Sequence, residues 1–383
     1  AMAAGAAIIC SQYLGRKDEK GCNDAAKQIV LTVVVISSVI MIIGVGFRKP
    51  LLHLIFGSVE EAVMTNAQIY FLITALSYPF IALFQAGAAF YRACGNSKFT
   101  MKTALIANVA NIVGNTLFIF VLQMGAAGAA VSTLISRALC AFVVFYALRK
   151  PGYAIQLKNY FSIRPDLNLI VKILAIGVPS GIENGMFQFG KLAIQSTVSL
   201  MGTAAIAAQG MTNIIENLNG IMSIGMGIGL MTVVGECLGA GEKEEAVYYI
   251  KKISIAAEIV LIATCLLMFG LTYPITYFGG MEPESAKLCI FMVTCITIVK
   301  PIVWIMAFIP PYGFRAAGDV RFTMTTSMLC MWLCRVVLAM VLARVFHMGP
   351  IAVWIGMFTD WTIRGIIYTI RFKNRKWLAH QVI

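Results

Sequence analysis

Three charged side chains lie within apolar stretches that otherwise avoid charge. Glu183 and Lys191 share one face of a predicted helix, and Glu216 lies in the next apolar stretch of the chain. A charge at the centre of a membrane costs at least about 2.5–3.5 kcal/mol, so each of these groups needs a partner or a function. We predict a salt bridge between Glu216 and Lys191, which leaves Glu183 as the less compensated acid.

A buried carboxylate with an incomplete partner is suited to binding and releasing a coupling ion, because burial disfavours its charged form. Glu183 is therefore a candidate cation-coupling residue, and Glu216 with Lys191 belongs to the same candidate site. A purely structural charge network is the alternative interpretation of the same residues.

A stripe of amides runs along one predicted helix in the first half of the chain. Asn108, Asn111 and Asn115 are spaced three and four residues apart, so they lie on one helix face. Gln85 and Thr133 lie in neighbouring apolar stretches. A polar stripe in a membrane helix faces either a cavity or another helix. These five residues are therefore candidates for a substrate cavity or for a polar network between helices.

Lys300 is the most unusual charge, since its own apolar stretch contains no acidic residue. We predict that it offsets Glu183 or Glu216 from across the helix bundle. We include Lys300 among the candidate residues of the substrate cavity or polar network.

A further group of charges occupies the last two predicted helices. Asp360 and Arg364 are four residues apart and are expected to pair on the last helix. Arg335 on the preceding helix is expected to join them, and a structural role is the favoured interpretation.

The elements that position these residues are membrane helices. Hydrophobic residues make up 60% of the chain and charged residues only 12%, which excludes an ordinary soluble domain. The apolar stretches have the length needed to cross a hydrocarbon core of roughly 30 Å. A partial helix covers residues 1–14, and ten complete spans lie near 29–47, 69–91, 104–122, 126–148, 174–200, 204–237, 250–273, 287–309, 322–345 and 349–370.

The sequence repeats itself after about 223 residues. YRACGNSKFTMKT at residues 91–103 recurs as FRAAGDVRFTMTT at 314–326. Leu14-Gly15 recurs as Leu238-Gly239, with two further glycine landmarks at nearly the same offset. Duplicated halves around a central site are typical of secondary transporters.

The repeat predicts an all-α polytopic membrane protein with two six-helix lobes. Both lobes enter the membrane in the same direction, so we expect a parallel repeat in which helix 1 and most of helix 2 are missing here. The predicted amino-terminal lobe is residues 1–148 and the carboxy-terminal lobe, with its basic tail, is 173–383. Residues 149–172 form the predicted cytoplasmic linker. Pro79 and Pro301 are expected to mark matching bends in the two lobes.

The charge distribution predicts the orientation of the chain in the membrane. Of the 30 Lys and Arg residues, only Arg48, Lys49, Lys287 and Arg344 fall in loops on one side, whereas the loops of the other side carry most of the rest. By the positive-inside rule the basic side, with the carboxyl terminus, is cytoplasmic. We therefore expect a multi-pass plasma-membrane protein that contacts lipids, is monomeric and binds no nucleic acid.

Metal and cofactor sites are not indicated. The ten cysteines form no Cys-x-x-Cys pair, and the three histidines lie singly in loops or in the tail. The cysteines are interpreted as small apolar packing residues. We expect no metal and no cofactor, with H+ or Na+ as the coupling ion.

These motifs resemble the multidrug and toxic compound extrusion (MATE) transporters over essentially the whole chain. The matching segments are LG at 14–15 and LGAG at 238–241, YRACGN at 91–96 and FRAAGD at 314–319, GVP at 177–179, and GAAVST at 128–133. The resemblance implies twelve helices in two lobes around a cavity. It also implies export of cationic or amphipathic drugs in exchange for H+ or Na+ by alternating access.

Two departures from the family pattern bear on the coupling site. Many members have Asn-x-x-x-Asp in the fifth helix, where this chain has Asn111 and Asn115, and the first-helix acid of that site would precede Ala1. Some members use acids of the seventh and tenth helices, and Glu183 or Glu216 matches the first of these roles. We therefore predict ion coupling through the carboxy-terminal lobe.

Two other classes of function are considered. A flippase for lipid-linked precursors shares the lobe architecture but generally has a basic cavity and additional helices. A membrane-embedded enzyme is disfavoured because the sequence has no intramembrane histidine and no His-Glu-x-x-His motif. We therefore predict a transporter and no enzyme activity.

Overall fold

The structure is a computed structural model that describes residues 2–57, 60–150, 154–157, 164–380 and 382. These residues form helices and turns, with no strand among them. The α-helices are α1 (Met2–Gly15), α2 (Glu19–Gly46), α3 (Arg48–Phe56), α4 (Glu61–Leu76), α5 (Tyr78–Ala93), α6 (Ser97–Asn115), α7 (Gly125–Ala147), α8 (Leu167–Ser199), α9 (Thr203–Gly239), α10 (Lys243–Phe278), α11 (Pro283–Phe308), α12 (Pro310–Ala316), α13 (Val320–Leu329), α14 (Leu338–Arg344) and α15 (Ile351–Lys373). The predicted all-α class is confirmed.

Two π-helical segments interrupt the regular helices. Thr116–Val121 prolongs α6, and Cys330–Val337 joins α13 to α14. Each lies in the helix that follows one copy of the repeated motif. Such segments change the direction in which neighbouring side chains point and are frequent at functional sites.

The described helices agree with a polytopic membrane protein. Eight of them are long and apolar enough to cross a membrane, or nine when the bent pair α4–α5 is taken as one span. Helix α15, the tenth predicted span, does not meet this criterion; it carries Asp360 and Arg364. Helix α9 is a continuous helix of 37 residues over the long stretch predicted at 204–237.

The described chain divides into two compact units, a first unit Met2–Gly177 and a second unit Val178–Ile383. In the first unit α5 packs against α1, α2 and α7, and α7 also contacts α4 and α6. In the second unit α9 packs against α10, α11 and α12, while α15 lies along α11 and the second π-helical segment.

The repeated motif forms the same local turn in both units. Gly95 ends α5 with a φ of 75° and Gly318 follows α12 with a φ of 92°. The next amide closes the turn in each case: Asn96 N donates to Tyr91 O at 2.8 Å, and Asp319 N donates to Phe314 O at 2.9 Å. Glycine adopts this left-handed conformation at the end of a helix without the steric penalty of a Cβ atom. This explains why both copies of the motif contain glycine at the same place.

The two prolines expected to mark matching bends behave differently. Helices α4 and α5 are bent by 40° at Ser77, two residues before Pro79. Pro301 lies inside α11, which continues to Phe308 before α12 begins. The structure thus shows the bend of the first unit, and a matching bend at Pro301 stays a prediction. Gly365 of α15 lies against the backbone of α11 at Val303.

The predicted linker, residues 149–172, falls partly outside the described residues, at 151–153 and 158–163. Its described parts bind α2. Asn23 Nδ2 donates to Ala154 O at 2.9 Å, and Gln28 Nε2 donates to Arg164 O at 2.8 Å. Helix α8 begins at Leu167, which is within the predicted linker.

Candidate functional site

Glu216 on α9 forms a buried ion pair with Lys300 on α11. The Lys300 Nζ lies 2.7 Å from Glu216 Oε1 and 2.9 Å from the Glu216 carbonyl oxygen. Lys300 is fully buried, and its ammonium lies 5.2 Å from the centre of the Trp304 ring. Of the two acids predicted to offset Lys300, the structure selects Glu216.

The predicted Glu216–Lys191 salt bridge is wrong. Lys191 is exposed and has no carboxylate within 4 Å among the described residues. The reason is the packing of α11 against α9 at Gly220, one turn beyond Glu216. A Cβ at Gly220 would lie 3.3 Å from Lys300 Nζ, so glycine provides the space for the lysine. Gly220, one helical turn after Glu216, is therefore the feature of the sequence from which the Glu216–Lys300 contact could have been predicted.

Glu183 is not the less compensated acid that the sequence predicts. Its Oε1 lies 2.7 Å from Nη2 of Arg315, in the repeated motif on α12. The guanidinium also lies 5.7 Å from the Tyr312 ring. Sequence reasoning missed this partner because Arg315 was assigned to a cytoplasmic loop as a marker of topology, whereas α12 brings it to the side chain of Glu183.

Asp360 and Arg364 form the predicted pair on α15, with Oδ1 and Nη2 2.6 Å apart, and both side chains are buried. Arg335 does not join this pair by direct contact. Its Nη1 donates to Met331 Sδ at 3.8 Å, and its guanidinium lies 5.9 Å from the Phe187 ring. The three acids of this region therefore each have one basic partner, and Arg335 is not one of them.

Three cavities lie beside these ion pairs in the second unit. One of about 170 Å³ is lined by Glu183, Arg315 and Arg364. Two others, of about 160 and 190 Å³, are both lined by Glu216 and Arg335 together with Lys191, Asn217 and Met357. Glu216 is thus accessible from two cavities while its partner Lys300 is enclosed by protein.

The first unit has its own polar cavity, of about 270 Å³. It is lined by Gln85, Asn108, Asn111, Thr133, Arg137 and several apolar side chains, with no acid among the lining residues. Arg137 Nη1 donates to Ser77 Oγ at 2.6 Å, at the α4–α5 bend. The cavity is therefore neutral or basic in character, unlike the acid-containing cavities of the second unit.

The amide stripe on α6 contributes to the cavity and to helix packing at once. Asn111 lines the cavity, and its Nδ2 donates to Ser132 Oγ at 3.3 Å and Ser136 Oγ at 3.2 Å on α7. Asn115 Nδ2 donates to Asn111 Oδ1 at 3.3 Å and does not line the cavity. The structure thus places Asn111 both at the cavity and at the contact between α6 and α7, whereas Asn115 bonds Asn111 outside the cavity lining.

Within the described residues, no group of three or more His, Cys, Asp or Glu side chains is placed to hold a metal ion. The ten cysteines are free thiols.

Comparison with known proteins places these cavities in context. The family model described as MatE matches residues 1–117 and 179–341. The "Uncharacterized transporter YisQ" of Bacillus subtilis strain 168 is 25% identical over 98% of this chain and 83% of its own length. The "Probable multidrug resistance protein NorM" of Thermotoga maritima is 23% identical over 99% of this chain and 82% of its own length.

A solved structure described as the outward-facing conformation of a multidrug resistance MATE family transporter of the MOP superfamily has the same fold. It matches 98% of this chain and 83% of its own chain with a TM-score of 0.87 at 19% identity. The similarity of fold covers residues of both units.

Proposed function

The chain belongs to the MatE family of transporters, and from this premise we propose that it exports cationic or amphipathic drugs and xenobiotics in exchange for H+ or Na+. The exchange proceeds by alternating access of a site within the membrane. The relatives named for multidrug resistance support the substrate class. The observation that carries the coupling part of the proposal is the Glu216–Lys300 ion pair beside two polar cavities.

Glu216 is suited to couple the movement of the ion to that of the drug. Its carboxylate pairs with the buried Lys300 and is also accessible from the two cavities. A proton or Na+ that binds Glu216 from the cavity competes with Lys300 for the carboxylate. The ammonium of Lys300 is then uncompensated and raises the positive potential of the cavity. A cationic drug binds less tightly under that condition, and by linkage the drug weakens binding of the ion to the same extent.

Glu183 is the second candidate for coupling. It lines a separate cavity, and its side chain is 9% exposed against 15% for Glu216. Its partner Arg315 has a planar guanidinium that stays charged and can bind both oxygens of a carboxylate. Breaking the Glu183–Arg315 pair should therefore cost more free energy than breaking the Glu216–Lys300 pair. We therefore place Glu216 first and Glu183 second.

Efflux from everted membrane vesicles that contain the full-length transporter tests this proposal. We expect ethidium transport to be driven by a proton or sodium gradient in the wild type. Glu216→Gln should lower the gradient-driven rate at least about tenfold, because the neutral amide cannot exchange the ion. Glu183→Gln, at the second candidate residue, should have the smaller effect. Equal rates in wild type and both variants would rule out coupling through these acids.

The membrane arrangement follows from the same family assignment. We propose a monomeric plasma-membrane protein, embedded in lipid, whose carboxyl terminus is cytoplasmic as the distribution of basic residues indicates. A reporter enzyme fused to the carboxyl terminus should be active on the cytoplasmic side only. Activity of the fusion outside the cell would contradict the proposed orientation.

A further inference from the structure

Arg335 is a buried guanidinium without a carboxylate partner. The residue is 7% exposed, and its Nε has no hydrogen-bond partner. Among the described residues no carboxylate lies within 4 Å of it, and its polar contact is the weak one with Met331 Sδ. A buried charge in this condition is costly, because the carboxylates of Asp360 and Glu216 act on it only from beyond contact distance while burial removes its water.

The ion pairs around Arg335 leave it without a carboxylate of its own. The carboxylates of Glu183, Glu216 and Asp360 each pair with another base at 2.6–2.7 Å. Arg335 and Lys191 remain without an acid partner among the described residues. Glu216 lines the same cavities, but Lys300 already neutralises its charge.

The two cavities next to Arg335 combine donors with aromatic surface. Lys191 and Arg335 line both of them. Amide side chains of Gln195 and Asn213 line one cavity, and the rings of Trp304 and Trp361 line the other. This lining fits a molecule that has an anionic group at one end and a flat apolar body at the other.

The position of Arg335 is set by the π-helical segment Cys330–Val337. A π-helical turn inserts an extra residue into a helix, and such turns are frequent at functional sites. Arginine is also the side chain best suited to a carboxylate, because its donors bind both oxygens at once.

We propose that the second unit contains a binding site for an organic anion, in which Arg335 and Lys191 hold a carboxylate or phosphate group and Trp304 and Trp361 contact an aromatic body. The site goes beyond the proposed function, since binding there requires neither ion coupling nor export. It adds an amphiphile with a carboxylate or phosphate group to the cationic ligands of the proposed function.

The test measures binding to the purified full-length protein in phosphatidylcholine nanodiscs, with 1-naphthoate and its neutral analogue 1-naphthamide as probes. Isothermal titration should show that naphthoate binds at least about tenfold more tightly than naphthamide, the effect expected of a charge-assisted hydrogen bond. Arg335→Gln should abolish the difference, whereas Arg335→Lys should keep part of it. Arg344→Gln, the same change at an exposed position, should keep all of it.

Naphthamide binding provides the control for folding, since it should be equal in all variants. If Arg335→Gln does not fold, Lys191→Gln at its exposed position replaces it, with a predicted loss of at least about threefold in naphthoate affinity. Equal affinities for naphthoate and naphthamide in the wild type, or a preference that survives Arg335→Gln, would overturn the proposal. Binding is read without transport, so the result is independent of the efflux test.

Two further arms identify the natural source of the anionic group. Nanodiscs containing phosphatidylglycerol should weaken naphthoate binding to the wild type if a lipid headgroup occupies the site. Binding that is unchanged in these discs assigns the site to a soluble carboxylate. Inorganic phosphate added at millimolar concentration should compete only weakly, because it lacks the aromatic body. Competition by phosphate as strong as that by naphthoate would contradict the aromatic part of the site.

Discussion

At the scale of single residues, the second unit is organised by ion pairs between helices. Glu216 with Lys300 and Glu183 with Arg315 each join two helices that are distant in the sequence. The sequence identifies these acids, because charges in apolar stretches are rare and need an explanation. It does not identify their partners, because the partner depends on how two helices are rotated and shifted against each other.

Removal of one partner of the Glu216–Lys300 pair should destabilise the folded protein strongly. Lys300→Met leaves the Glu216 carboxylate buried without its base, which should lower the free energy of unfolding by about 3 kcal/mol. The double variant with Glu216→Gln should recover most of that loss, because no uncompensated charge remains. Denaturant unfolding in detergent, arranged as a double-mutant cycle, measures both effects. Additive losses in the double variant would show that the two groups do not interact.

At the scale of elements, close packing at small residues sets the geometry of the helices. Gly87 on α5 faces α7, where an added Cβ would lie 2.3 Å from Val144 Cγ1. Gly220 on α9 gives a milder case, with an added Cβ 3.3 Å from Lys300 Nζ, and at Gly365 on α15 an added Cβ would make an ordinary contact with the Val303 carbonyl. Small residues at helix interfaces are the usual device of membrane proteins, since they let backbones approach closely.

Gly87→Ala should therefore destabilise the first unit, by about 1–3 kcal/mol, because the new methyl group overlaps Val144. The double variant Gly87→Ala with Val144→Ala should recover part of the loss. Gly270→Ala on α10 is the matched control: nothing lies within 4 Å of its Cβ position, so it should leave stability unchanged or raise it slightly. Thermal unfolding of the three purified variants makes the comparison. A neutral Gly87→Ala would show that α5 and α7 are less closely packed than described.

Helix positions were largely predictable from the sequence, and helix ends and bends were not. Apolar length places α9 over 203–239, close to the stretch predicted at 204–237. Helix α8 begins at Leu167, before the predicted 174, because its first turns carry polar residues that hydropathy alone excludes. Pro301 lies inside α11, which continues past it to Phe308 and packs against α15.

At the scale of the whole molecule, the duplication predicts a transporter before any family is considered. The same glycine turn closes a helix in both units, which gives the repeat a physical meaning. The two units differ in chemistry, since the first has amides and Arg137 in its cavity and the second has paired acids. If only one unit binds the coupling ion, the two units must differ in the charged residues of their cavities. The duplicated fold of this chain has such a difference.

The net charge moved in a transport cycle should depend on the substrate. Exchange of one proton for one ethidium cation moves no net charge, so membrane potential should not alter its steady-state accumulation. Export of a zwitterion against one proton moves one charge, for which 100 mV supplies about 2.3 kcal/mol. Proteoliposomes with the potential clamped by potassium and valinomycin distinguish the two cases. A potential-dependent accumulation of ethidium would exclude one-for-one exchange.

The central claim is that Glu216 exchanges a coupling cation for a drug. The most direct measurement is ethidium affinity of the purified full-length protein as H+ or Na+ is raised. We predict that the wild type binds ethidium more weakly as the coupling ion increases, that Glu216→Gln loses this dependence, and that Glu183→Gln retains it. An ion dependence that persists in Glu216→Gln, or is lost in Glu183→Gln alone, would contradict the account.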